Sequence, residues 1–367
     1  MKEKYKPTKL PIEFDFESKN ILKKLAEAKA SLSELKGFAH TIPNQSILIN
    51  SLSLQESKDS SEIENIITTQ DEIFQGQVDQ KLIKNTAIKE VQNYNLALQT
   101  GFKIIQNTKL IKSDCILTVQ NILEQNNAGY RKLCGTTLKN QASGEIIYEP
   151  PQNYEEIQSL MANLIDYIND DELQEIDPLI KMAIIHFQFE SIHPFYDGNG
   201  RTGRILNILY LINKGLLNLP ILYLSRYIVQ NKNDYYKLLQ NVRDKNAWES
   251  WILFMLEGIH LTALDTIKVI QEIKELMQEY KNFLRDNFPF YSQDLLNNLF
   301  QHPYTKIDFV KDDLGITRQT ASKYLTELAK HQSGLIKQIK IEKSNYFVNV
   351  KLFELLTINR NVMLRKS

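Results

Sequence analysis

Along most of the chain, apolar residues recur at steps of three and four. LKKLAEAKASLSEL (22–35), AIKEVQNYNLALQTGFKII (87–105), IQSLMANLIDYI (157–168), LIKMAIIHFQFESI (179–192) and IKVIQEIKELMQEYKNFLRD (267–286) all follow this spacing, which puts one apolar face on a helix. The body is therefore predicted to be mainly α. From Leu133 to Tyr148 the pattern gives way to two short β-prone pieces around a polar turn containing Gly144, and Pro150 and Pro151 stop the second piece. An isolated two-stranded hairpin is only marginally stable and leaves its edges unpaired, so this one is suited to holding an extended segment against the helical body.

After about residue 287 the character changes again. FPFYSQDLLNNLFQHP opens a new unit, VKDDLGITRQTASKYLTELAKH supplies a helix, a Gly-containing turn and a second helix, and LIKQIKIEKSNYFVNV supplies two strands around a polar turn. This order predicts a winged helix-turn-helix with 317–331 as its recognition helix. Between residues 286 and 367 twelve Lys or Arg stand against eight Asp or Glu, an excess of four, which leaves DNA and protein both open as its partner.

Composition bounds the rest. With 43% hydrophobic and 24% charged residues the chain has the make-up of an ordinary globular protein, and at 367 residues it is too long for one core. Lys plus Arg (44) equals Asp plus Glu (44), so the whole chain makes no electrostatic case for nucleic acid. The apolar region from Ile205 to Leu224 is interrupted by Asn207, Asn213, Lys214, Asn218 and Pro220, which predicts a buried helix pair and no membrane span. MKEKYKPTKLPIEFDF lacks the apolar stretch and cleavage site of a secretion signal, so a cytoplasmic location is expected. Cys115 and Cys134 form no CxxC pair and are expected to be buried fillers.

The candidate chemistry lies in HPFYDGNGRTGR, His193 to Arg204, between two apolar segments. Gly198, Gly200 and Gly203 match GxGxxG in form, but no strand precedes them and no acid follows until Asp234, which excludes a dinucleotide fold. The same stretch fails as a P-loop because Arg204 and Ile205 stand where Lys and Ser or Thr are needed, and as a calcium loop because Arg201 stands where an oxygen ligand is needed. What remains is either a plain DGNG turn between helices or a phosphate site. The flanks favour the latter. Glycines at a helix N-terminus free backbone N–H groups for phosphate oxygens, and Arg201 and Arg204 neutralise charge. Asp197 offers Mg²⁺ a hard oxygen, and His193, with an ordinary pKa near 6.5, suits removal of a proton from a hydroxyl. Together these groups describe attack on a phosphate held by metal and arginines.

HPFYDGNGRTGR resembles the HxFx[D/E]GNGRxxR motif of the Fic family of AMP transferases at every specified position. The resemblance implies a Fic helical core with a β-hairpin flap and Mg²⁺-dependent transfer of AMP from ATP to Ser, Thr or Tyr hydroxyls of a protein, itself included. It assigns His193 as base, Asp197 to the metal, and Gly198, Asn199, Gly200, Arg201, Thr202, Gly203 and Arg204 to the phosphates. GYRKLCG followed by EPP resembles the flap, implying that Gly144 to Tyr148, with Ile146 and Ile147, line the site. LPILYLSRYIVQNKNDYYKLL resembles the segment closing the nucleotide pocket, implying Tyr235 near adenosine, against a reading of Tyr235 as a core aromatic. DSSEIEN resembles the family's inhibitory motif, implying Glu64 as an internal inhibitor with Ser60 and Asn65 around it and a bidentate Glu64–Arg204 pair. Relatives that transfer UMP, phosphocholine or a whole phosphate keep other donors open, and a nucleotide-responsive DNA regulator is the competing class; a homodimer is also open. The expected domains are 1–85 with an inhibitory helix at about 56–66, a catalytic core at 86–265 with its flap at about 133–150, a linking helix at 266–286, and the winged module at 287–367.

Overall fold

The structure, a computed structural model, describes residues 5–78, 83, 85–139, 144–341 and 344–357. Helices α1 (Lys19–Ala39), α2 (Gln45–Ile63), α3 (Gln70–Val78), α4 (Thr86–Thr108) and α5 (Ser113–Glu124) come first. A hairpin of β1 (Leu138–Lys139) and β2 (Ile146–Tyr148) follows, then α6 (Tyr154–Asn169), α7 (Pro178–Ile192) and α8 (Asn199–Asn213). Helices α9 (Leu224–Gln230), α10 (Lys232–Lys245) and α11 (Trp248–Asn287) complete the body. The mainly α architecture read from the periodicity is present.

Helix α7 is the axis of the core. It is apolar on every side, and every residue from Leu179 to Ile192 is buried, as expected of a helix enclosed by others. Asp177 caps its first turn and Pro178 supplies the preset φ of a first helical position. Helices α6, α8 and α11 pack on α7, α4 and α5 close the far side of α8, and α2 lies against α4 and α9. The apolar region 205–224 is one helix and a turn, not a helix pair: Lys214 ends α8, Gly215 takes a positive φ of 67°, and α9 begins only at Leu224. Cys115 is buried as expected, but Cys134 is exposed beside the hairpin, where no apolar layer covers it. Among the described residues no helix is long and apolar enough to cross a membrane.

The C-terminal unit holds α12 (Gln293–Gln301), β3 (Tyr304–Thr305), α13 (Ile307–Leu314), α14 (Arg318–Lys330), β4 (Ile336–Ile341), β5 (Ser344–Asn349) and α15 (Val350–Thr357). Its antiparallel sheet has the order β3-β5-β4, one strand more than the pattern predicts, because Tyr304 and Thr305 pair with Val348 and Phe347. Gly315, at φ 64°, ends α13, and Thr317 caps α14, the helix expected at 317–331. The unit is rooted on α11, which runs unbroken past residue 266, where the sequence pattern places the start of a linking helix. The Tyr280 hydroxyl on α11 donates to Leu335 O (3.1 Å) and to Asn349 Oδ1 (2.7 Å).

Candidate active site

Local backbone conformation sets the loop between α7 and α8. His193 ends α7 in the left-handed region, φ 50°, its N–H donating to Phe189 O at 2.9 Å. Gly198, at φ 76°, begins α8. Between them Asn199 clips the loop shut: its Oδ1 accepts from Phe195 N and its Nδ2 donates to Phe195 O, both at 2.9 Å. The first N–H groups of α8 have no partner within the helix.

Arg131 carries the other side of the loop. Fully buried, it donates from Nε to His193 O (2.8 Å) and from Nη2 to Pro151 O, and its own N–H donates to Pro194 O (2.8 Å). The base of the hairpin and the His193 backbone are thus tied by one guanidinium. Tyr196 adds a second tie, its hydroxyl accepting from Lys132 N (2.8 Å) and Leu133 N (3.2 Å). Burial, with the positive charges of Arg131 and Arg243 nearby, pushes the His193 imidazole down to about 4. Its Nδ1 is buried with no hydrogen-bond partner among the described residues. His193 is therefore neutral at pH 7, the state a base needs.

Glu64 lies over the start of α8. A Cβ on Gly200 would collide with Glu64 Oε1, so the carboxylate occupies the space the glycine leaves, where the helix dipole favours an anion. Arg204 Nη2 donates to Glu64 Oε1 (2.8 Å) and to Ser60 O (3.0 Å), and Arg204 Nε donates to Ser60 Oγ (2.7 Å). The expected bidentate Glu64–Arg204 pair is replaced by this shared grip, because Ser60, one turn earlier, reaches the Nε edge of the fork first. Burial works against the Glu64 charge, yet Arg204 holds its carboxyl below the ordinary range. Asn65 explains the residue that follows. It takes φ 63°, donates to Glu62 O (3.0 Å), and is followed by Ile66 N donating to Ser61 O (3.1 Å). That pattern is a Schellman ending, which Asn tolerates better than any residue but glycine. Helix α2 is longer than the expected 56–66, and Glu64 caps it from outside.

Other expected site residues lie as follows. Asp197 is exposed; its Oδ1 accepts from Gly198 N (2.7 Å), and the carboxylate has room for a metal. Magnesium takes one or two carboxylates and completes its shell with water and phosphate, so this single oxygen site fits it. Arg201 is buried, with Nη1 on Glu90 and Nη2 on Glu124, both at 2.8 Å; it is engaged by carboxylates, not free for phosphate. Thr202 is buried with its Oγ1 unpartnered among the described residues, and Gly203 faces α7, where a Cβ would strike Glu190 and Phe189; helix phase turns both residues inward. Tyr235 is a core aromatic: it is buried, and its hydroxyl meets His186 Nε2 at 2.8 Å beneath α8. The neighbouring Tyr236 is partly exposed, and the protein around it, with the Glu64 carboxylate nearby, pushes its phenol up against the opposing charge of Arg204. On β2, Ile146 and Ile147 are exposed while Tyr148 is buried under the Arg243 guanidinium, 4.0 Å from its ring centroid. The strands are shorter than expected, and the turn at 140–143 lies outside the described residues.

Two groups, Glu190, which is buried, and Arg243, which is half-buried, had no sequence signal except their position. Glu190, three residues before His193, is pushed up to about 7 by burial, and its Oε1 has no partner among the described residues. Arg243, on α10, donates from Nε and Nη2 to Ser191 Oγ at 3.3 and 3.4 Å.

Three family models match the chain: the Fic/DOC family N-terminal model at residues 22–103, the Fic/DOC family model at 111–211, and the C-terminal domain of SoFic-like protein adenylyltransferases at 276–352. Protein adenylyltransferase fic-1 of Caenorhabditis elegans is 27% identical over 160 residues, 41% of this chain and 29% of that protein. A probable protein adenylyltransferase of Aquifex aeolicus is 38% identical over 81 residues, 22% of this chain and 24% of that protein. The matches thus span less than a third of either relative. Among solved structures, a Fic family protein from Desulfovibrio desulfuricans has a TM-score of 0.56 at 19% identity, covering 94% of this chain and 98% of that one. Fic-1 of Caenorhabditis elegans has a TM-score of 0.53 at 19% identity, covering 67% and 71%. At such identities the structures speak for the fold alone.

Proposed function

The chain belongs to the Fic/DOC family, and we propose that it is a protein adenylyltransferase that transfers AMP from ATP to a Ser, Thr or Tyr hydroxyl of a protein, itself included, and is held off by its own Glu64. The observation that carries this reading is the neutral His193 beside an anion site at the start of α8 that Glu64 now fills. His193 takes the hydroxyl proton as the oxygen attacks the α-phosphorus. The new O–P bond forms as the bond to the β-phosphate oxygen breaks, and pyrophosphate leaves. Arg204 and the first N–H groups of α8 hold the phosphates in line for that attack. Asp197 would hold Mg²⁺, which supplies charge neutralisation on the phosphates. Exposed Ile146 and Ile147 on β2 offer apolar side chains and a strand edge to an extended target segment. With Glu64 on Arg204, the terminal phosphate loses its cation and meets a carboxylate. Arg318 and Lys323 are exposed on α14 but pair with Asp308 and Glu327, so α14 offers a DNA or protein partner a face of mixed charge.

Labelling separates the donors. Incubation with ATP carrying label on the α-phosphate should mark protein, and label on the γ-phosphate should not. Transfer from γ alone would make the chain a kinase. His193→Ala should lower transfer by about 10²–10⁴-fold while nucleotide binding stays.

A further inference from the structure

We propose that the winged module is a clamp on the inhibitory helix, gripping the chain on both sides of Glu64 and so positioning its carboxylate. The proposal rests on the reading of Glu64 as inhibitor and goes beyond it, since it assigns the control of Glu64 to a distant unit.

Glu64 sits between α2 and α3, and each of these helices is tied to the module. On the α2 side, buried Gln55 donates from Nε2 to Leu356 O of α15 at 2.5 Å. Its Oε1 accepts from Arg226 Nη2 at 3.0 Å, and Arg226 also binds Asp59, one turn further along α2. Gln55 lies nine residues before Glu64, about two and a half turns of helix, so a shift of α2 at Gln55 is carried as a rigid displacement to its C-terminal end. Helix α12 also packs against α2. On the α3 side, Phe353 of α15 lies edge-on to Phe74 at 6.0 Å, the Tyr304 hydroxyl donates to Asp71, and Lys306 Nζ donates to Val78 O at 2.9 Å. The segment between the two helices is short and begins with the hydrogen-bonded Schellman ending at Asn65, so Glu64 has little freedom while both ends are held. A partner that draws the module away from α2 and α3 would release Glu64 from Arg204, and binding to the exposed face of α14 needs no direct access to the site.

Full-length Gln55→Leu and Phe353→Ala test the clamp separately, the second without touching Arg226. Each is measured alone and combined with Glu64→Gly. Each should raise AMP transfer by about 5-fold or more in the native background and leave Glu64→Gly unchanged, since the inhibitor is then already gone. No gain from either variant where Glu64→Gly does gain, or equal gains in both backgrounds, would overturn the clamp. Hydrogen exchange at amides 61–66 reads the same contact without activity: faster exchange in both variants supports the clamp, and unchanged rates refute it. Should Glu64→Gly itself bring no gain, the inhibitory reading falls while the exchange rates still decide the clamp.

Discussion

At the scale of single residues, charge and burial make separable predictions. Glu64→Gly should raise transfer about 5- to 150-fold by freeing Arg204. Glu62→Gly should change it little, because Glu62 is partly exposed and its carboxylate pairs with Lys58 at 2.8 Å, away from Arg204. Initial rates with α-labelled ATP check both. The acid limb of kcat/KM should follow His193. Its imidazole must be neutral to accept a proton, and burial beside Arg131 and Arg243 lowers it to about 4. Rates measured on the Glu64→Gly protein should therefore persist well below pH 6.5 and fall near pH 4; a limb at 6.5 would show an unburied histidine. Glu56 in α2 runs the other way. Burial raises it to about 8, against hydrogen bonds from Ser225 and Tyr94. A carboxyl whose folded pKa lies above its unfolded value of about 4.5 contributes stability that is full below pH 4.5 and lost as pH rises through 8. Glu56→Gln should remove that decline, seen as a flatter dependence of Tm on pH.

At the scale of elements, the hairpin and the loop act as one piece because Arg131 joins them. Replacing it by Met leaves His193 O and Pro151 O without a buried donor, at about 1–3 kcal/mol each. Arg131→Met should lower Tm by several degrees and reduce transfer more than it weakens nucleotide binding, because the hairpin loses its register on His193. Unchanged kcat would show that the hairpin holds its place by other contacts. Helix α8 shows why glycines at one motif have different tasks. Gly198 takes a positive φ, Gly200 leaves room for an anion, and Gly203 lets α7 approach. Only the helix phase distinguishes the last two.

For the whole molecule, the winged module does not stand apart from the body. Tyr280 of α11 is buried against Leu335 and Asn349, and α15 covers Gln55. Ending the chain near residue 285 would expose these faces, since the module and the body share this part of the core. Scanning calorimetry of the full chain should show one unfolding transition; two well-separated transitions would mean the units fold independently.

The linear order of residues determined the mainly α class, the hairpin, the winged helix order and the loop from His193 to Arg204, because each is written in local spacing: helical steps of three and four, a turn glycine, charges set around it. DSSEIEN pointed to Glu64 only through its resemblance to the family's inhibitory motif. Tertiary structure decided what those residues touch. Arg201 was drawn to Glu90 and Glu124, Tyr235 to His186, Arg204 to Ser60 as well as Glu64, and the module to both flanks of the segment that carries Glu64. Such partners lie dozens to hundreds of residues apart, so no local pattern encodes them. They are chosen when packing removes water from charged and aromatic groups and leaves each only the neighbours that the folded helices bring within reach.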